Sequence, residues 1–171
     1  MHFGIKQLQS APRVGFQFFL KQLKKEVRVS DLVFIIAPRI NAAGRMKHGL
    51  FAVQLLIAET AADAMPLARS IELYNTERKS TDERITAAAL EQLENNKETD
   101  RFSTVVFDPE WHKGVVGIVA SRLIEKYYRP TVVLTQSGEV LTGSVRSVVG
   151  FNIYEALEAC QEHMIQFGGH K

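Results

Sequence analysis

The chain has 171 residues, with 21 Lys and Arg against 19 Asp and Glu, so its formal net charge is only +2. Hydrophobic residues make up 46% and charged residues 23%, enough to build a core and too balanced for an intrinsically disordered or polyanion-coating chain. Cys160 is the single cysteine, which excludes an internal disulfide framework. No apolar run reaches the roughly 20 residues that span a bilayer, and the polar start lacks a signal-peptide core, so a cytoplasmic protein is expected.

Residues 2–25 carry apolar residues near helical spacing, broken at Ser10-Ala11-Pro12-Arg13, which predicts two short helices around a proline break. Val29-Ser30-Asp31 carries a helix N-cap signal. The following run, Leu32 to Pro38, fits a buried strand or a buried helix, and periodicity does not separate the two. From Leu50 to Glu59 the sequence is nearly all apolar, which predicts a buried helix.

Residues 61–96 predict one helix of roughly 30 residues, about 45 Å long, because no Gly or Pro follows Pro66. Leu67, Ile71 and Tyr74 give it one apolar stripe; Ile85, Ala89, Leu90 and Leu93 give it another. The ten residues from Asn75 to Arg84 are polar on every side, the pattern of a helix that crosses solvent between two bodies. Two helices meeting near Ser80-Thr81-Asp82 are the alternative.

Beyond Lys97 short β-branched runs alternate with helical stretches. Residues 103–107 read as a strand, 116–128 as a crossover helix and 130–134 as a parallel strand. A turn at Gln136 to Glu139 then leads to a third strand at 140–144, closing a hairpin. Phe151 to Gln166 reads as a closing helix with Ile153, Ala156, Leu157, Cys160 and Met164 inward. The fold class is therefore α/β in this half, after a helical first half.

Three clusters concentrate residues suited to holding phosphate. In Pro38 to Met46, Arg39, Asn41 and Arg45 offer charge-assisted donors among small residues, with an ordinary surface turn as the alternative. In Asp108 to Arg122, the segment His112, Lys113, Gly114 falls in a strand-to-helix loop where free N–H groups and the helix dipole favour an anion; a plain connecting loop is the alternative. In Thr142 to Ser147, Ser144 and Ser147 flank Arg146 at a strand end, a common phosphate-contact set, or else a solvated strand end. No H-E-x-x-H, Cys pair or Asp-x-Asp supplies a metal site. Cys160 and His163 read as a packed thiol and a structural or surface histidine.

The runs Ala37-Pro38-Arg39-Ile40-Asn41-Ala42-Ala43-Gly44-Arg45-Met46, Trp111 to Leu123, Gly143-Ser144-Val145-Arg146-Ser147 and Phe167-Gly168-Gly169-His170 together resemble the bacterial RecJ family of single-stranded-DNA-specific exonucleases, in the DHH phosphoesterase superfamily. The resemblance covers essentially the whole chain. Its first motif is specific to that family, whereas the last two are shared across the superfamily. It implies 5′-to-3′ degradation of single-stranded DNA in recombination and repair, by two divalent metals (manganese or magnesium) held on Asp and His ligands.

The resemblance also implies a domain layout: residues 1–64 as the end of a DHH domain, 65–99 as a connector helix and 100–171 as an incomplete DHH-associated, nucleic-acid-binding domain. Arg39, Asn41 and Arg45 would line the path of the strand or its terminal phosphate. Ser144, Arg146, Ser147, Gly168, Gly169 and His170 would approach the DNA end from the other wall of the cleft, with His112, Lys113 and Gly114 nearby. The metal-binding Asp and His-His motifs are missing, and the Gly-Gly-His motif stops one residue later, so the resemblance implies an internal fragment, inactive alone, of a monomeric enzyme. No catalytic residue and no metal ligand is expected within it. A helicase or single-strand-binding protein as partner would leave no trace in these residues. The alternatives are a non-catalytic nucleic-acid- or nucleotide-binding module, or a superfamily phosphodiesterase acting on short oligonucleotides or cyclic dinucleotides.

Overall fold

The computed structural model describes residues 2–23 and 26–169. The chain divides into two compact units, Met1–Ser80 and Thr81–Lys171, with the boundary inside one long helix.

The first unit is helical. Helices α1 (His2–Ser10) and α2 (Val14–Leu20) flank Pro12, as expected. The ambiguous run resolves as helix: α3 (Val29–Asp31) passes through a π-helical segment, Leu32–Ile36, into α4 (Ala37–Met46). Its start differs from the expected cap. Arg28 is the N-cap, and Asp31, three positions on, accepts the Arg28 N–H at 2.9 Å. Pro38 explains the π segment: it has no N–H and its ring presses on the carbonyl four residues back. The helix therefore widens there, with the Ala37 N–H reaching back to the Leu32 carbonyl.

Helix α5 (Leu50–Ile57) forms as predicted, but it is not buried all round. Ala52 and Leu55 are inside, while Leu50, Val53 and Ile57 are each more than half exposed. Continuous apolarity carries no facial direction, and packing chose one stripe of it. The core gathers Phe19, Ile36, Ala43, Leu55, Ala64, Ala68 and Ile71. Gly15 is required at the crossing of α2 and α5, because a Cβ there would lie 2.0 Å from the Leu55 carbonyl oxygen.

Helix α6 (Ala61–Asn95) is a single helix of 35 residues, and its middle departs from the expectation of a solvated rod. Ala64, Ala68, Ile71, Asn75, Asp82, Ile85, Ala89 and Leu93 are all buried, at spacings of three, four and seven that keep them on one face. The stripe therefore runs on through the polar segment, where Asn75 and Asp82 replace apolar residues. Arg78 donates to the Asn75 side chain at 3.3 Å.

The second unit has the expected α/β order. Strand β1 (Thr104–Phe107) pairs in parallel with β2 (Thr131–Ser137) across helix α7 (Val116–Tyr127), and β2 pairs antiparallel with β3 (Val140–Arg146), giving sheet order β1-β2-β3. Gly138, with φ of +64°, makes the hairpin turn. Val106, Val133, Val119, Ala120 and Leu123 are fully or almost fully buried, packing the sheet against α7. Arg129, 7% exposed, donates to the carbonyls of Glu98, Thr99 and Arg101 and to the Thr104 hydroxyl at 2.6–2.8 Å, fastening the loop after α6 to the start of the sheet. Gln92, near the end of α6, donates to the Phe107 carbonyl and accepts its N–H on the outer side of β1.

The closing helix is much shorter than predicted. α8 covers Ile153–Glu158, capped by the Asn152 side chain, and a single 3₁₀ turn follows at Gln161–His163. None of its residues is buried, and Cys160 is an exposed thiol, not a packed one. An amphipathic pattern without a surface to pack on does not sustain a long helix in water. His163 lies at the surface, 3.4 Å from Glu162.

Candidate nucleic-acid interface

The second and third sequence clusters meet. β1 ends at Phe107, and the loop after it carries His112, Lys113 and Gly114 to the start of α7. The loop is held from within: Trp111 is buried, and its carbonyl accepts the Thr135 hydroxyl of β2 at 2.6 Å. The His112 ring accepts the Gly114 N–H through Nδ1 at 3.1 Å, while Lys113 is exposed. Because β2 and β3 form a hairpin, the far end of β3 returns beside the first turn of α7. A Cβ on Gly117 would lie 3.1 Å from the Ser144 hydroxyl and 3.2 Å from a terminal nitrogen of Arg146.

Sequence reasoning misses Gly117 as a functional residue, although it stands in the second motif. Its absent side chain is what lets Arg146 lie against the helix start. Arg146 donates from one terminal nitrogen to the Ser144 hydroxyl at 2.9 Å and to the Val145 carbonyl at 2.8 Å. Among the described residues its other two guanidinium nitrogens hold no hydrogen bond. The result is a corner with an exposed guanidinium, a hydroxyl and the N-terminal turn of a helix of 12 residues, all of which attract an anion. Ser147 does something else: its hydroxyl donates to the Phe151 carbonyl at 2.6 Å and fixes the turn that follows β3. Gly143 faces Leu134 of β2, where a Cβ would come within 2.3 Å of the Val133 carbonyl oxygen.

Gly168 and Gly169 are exposed and outside regular structure, after Phe167, whose ring packs on Tyr154 at 5.5 Å. His170 lies outside the described residues. Among the described residues no group of three or more His, Cys, Asp or Glu side chains is placed to hold a metal ion. None of the described helices is long and apolar enough to cross a membrane.

In the first unit the first cluster is a helix, α4, and not a turn. Ala42 and Ala43 face the core with no exposure, and Asn41 and Arg45, one helical turn apart, are exposed. Arg39 faces elsewhere. It makes a two-pronged pair with Glu72 of α6, at 2.7 and 3.1 Å, and donates to the Ile35 carbonyl at 2.7 Å, with its side chain 17% exposed.

Residues 99–171, which hold this parallel β-α-β unit, its hairpin and the corner at Gly117 and Arg146, match the DHHA1 domain family. Over most of its length the chain is similar to proteins named single-stranded-DNA-specific exonuclease RecJ. The single-stranded-DNA-specific exonuclease RecJ of Bacillus subtilis is 36% identical over 98% of this chain and 22% of its own length. That of Escherichia coli is 36% identical over 92% of this chain and 29% of its own. The crystal structure of RecJ from Thermus thermophilus in complex with Mg2+ superposes with a TM-score of 0.86 at 32% identity, covering 98% of this chain and 26% of that one. The Mn2+ complex from the same organism gives a TM-score of 0.87. The chain thus spans about a quarter of the length of the curated relatives it matches.

Proposed function

We propose that these residues hold single-stranded DNA by its phosphates within a 5′-to-3′ single-stranded-DNA exonuclease of recombination and repair. The observation that carries the reading is the corner at Gly117, Ser144 and Arg146, on a chain whose homologues are named single-stranded-DNA-specific exonucleases over nearly its whole length. Arg146 donates to a phosphate oxygen, the Ser144 hydroxyl adds a second donor, and the first turn of α7 supplies N–H groups and its positive dipole end. Lys113 extends the positive surface. Asn41 and Arg45, and Gly168 and Gly169, contact further stretches of the strand, and His170 joins them.

Residues 1–64 are read as the end of the DHH domain, 65–99 as a connector and 100–171 as the DHH-associated domain. The donor set of the corner, a guanidinium, a hydroxyl and backbone N–H groups, does not fit a divalent metal, so hydrolysis is assigned to residues outside it. A monomeric, cytoplasmic enzyme completes the proposal.

The test is binding of 5′-labelled oligothymidylate by the chain across a salt series. Arg146→Ala is expected to lower affinity about tenfold and to reduce the log–log salt slope by about 0.7, the loss of one phosphate contact on a single strand. An unchanged slope removes Arg146 from the interface. Manganese-dependent cleavage by the chain alone would overturn the assignment of hydrolysis to other residues.

A further inference from the structure

We infer that Asp82 and Arg122 form a positioning pair that seats α7 and, through it, the phosphate-binding corner at Gly117, Ser144 and Arg146. The inference rests on the strand-binding reading above. Asp82 is fully buried on α6, yet carries a carboxylate. It accepts from Arg122 of α7 at 2.7 Å and from the Thr86 hydroxyl at 3.4 Å. Its hydrogen bond to Asp82 holds the pKa of the Arg122 guanidinium above the ordinary value, despite the opposing effect of burial. A solvated helix face needs no buried acid, and a purely packed one would be apolar. A carboxylate here fixes direction, because a hydrogen bond has a preferred geometry and apolar contact has none.

The geometry of α7 turns that anchor into a setting for the corner. Val116, Val119, Ala120 and Leu123 face the core. Arg122 projects from another flank, followed one turn on by Lys126, which lies 3.7 Å from Glu94 of α6. Gly117 and Arg122 are about 140° apart around the helix, so α6 grips one side while Gly117 meets β3 on the other. Rotating an α-helix by about 10° moves its Cα atoms by roughly 0.4 Å. β3 comes so close at Gly117 that even a Cβ there would lie 3.1 Å from the Ser144 hydroxyl and 3.2 Å from Arg146, so a shift of that size is large against the spacing of the corner. Releasing Arg122 is therefore expected to change how the helix N-terminus is spaced from Ser144 and Arg146.

A double-mutant cycle on the 171-residue chain, read by oligothymidylate affinity and its salt slope, tests this. Arg122→Gln is expected to lower affinity about tenfold and the slope by about 0.7, and to add nothing in an Arg146→Ala background, since it acts through Arg146. Val133→Ala, a core truncation on the same sheet, is expected to lower Tm without changing the slope of the folded protein. If Arg122→Gln does not fold, Asp82→Asn carries the same cycle, because it leaves no uncompensated buried charge. Additive losses from Arg122→Gln and Arg146→Ala, or an equal slope change in Val133→Ala, overturn the positioning role while leaving the strand-binding reading intact. Absence of oligothymidylate binding by the unsubstituted chain overturns both.

Discussion

Arg39 of α4 and Arg146 of β3 stand in motifs of similar appearance, yet they occupy opposite environments. Arg39 commits its donors to Glu72 and Ile35 and is largely covered. Arg146 is exposed, uses one nitrogen on Ser144 and Val145, and lies against a glycine at a helix start. The difference teaches that an arginine's contribution is set by what already satisfies its guanidinium. The first ties α4 to α6, while the second keeps part of its guanidinium exposed beside a helix start, which is why the strand-binding proposal rests on it.

Substitutions can break this contrast, and those that disturb each frame have the largest effects. Arg129→Met strands the carbonyls of Glu98, Thr99 and Arg101 and is expected to cost about 3 kcal/mol, seen as a large drop in denaturant midpoint. Gly15→Ala forces a methyl against the Leu55 carbonyl and is expected to cost up to about 3 kcal/mol by the same measurement. Arg39→Ala should lower stability by about 1.5 kcal/mol through loss of its paired hydrogen bonds. Arg146→Ala should leave the folding free energy within about 0.5 kcal/mol, its effect appearing in salt-dependent binding. If Arg39→Ala left stability untouched and Arg146→Ala lowered it, the two assignments would have to be exchanged.

Local chemistry made much of the fold legible. The absence of Gly and Pro after Pro66 predicted one long α6, and alternation of short β-branched runs with a helical stretch predicted the parallel crossover and the hairpin. What stayed hidden depends on distant partners. Asp82 reads in sequence as one more solvated charge because Arg122, its partner on α7, lies forty residues on. Helix α5 reads as buried all round because uniform apolarity names no face. The α8 pattern reads as long enough to continue, but its residues find no core to enter.

The site divides in the same way. Residue type and spacing single out Ser144 and Arg146 as candidate phosphate contacts, and the structure places their side chains together at 2.9 Å. Gly117 is overlooked because its importance is the room it leaves, which appears only when β3 comes back alongside α7. Ser147 carries a hydroxyl suited to phosphate, and the fold employs it on the Phe151 carbonyl.

The Gln92 side chain, which meets both backbone groups of Phe107, makes the sheet's security depend on a helix. An exposed strand edge invites pairing with another chain, and Val105 and Phe107, both partly exposed, would add apolar contact to such pairing. One amide stands in for a fourth strand. That cover is as secure as the last turn of α6, which the fully buried Leu93 beside Gln92 keeps seated.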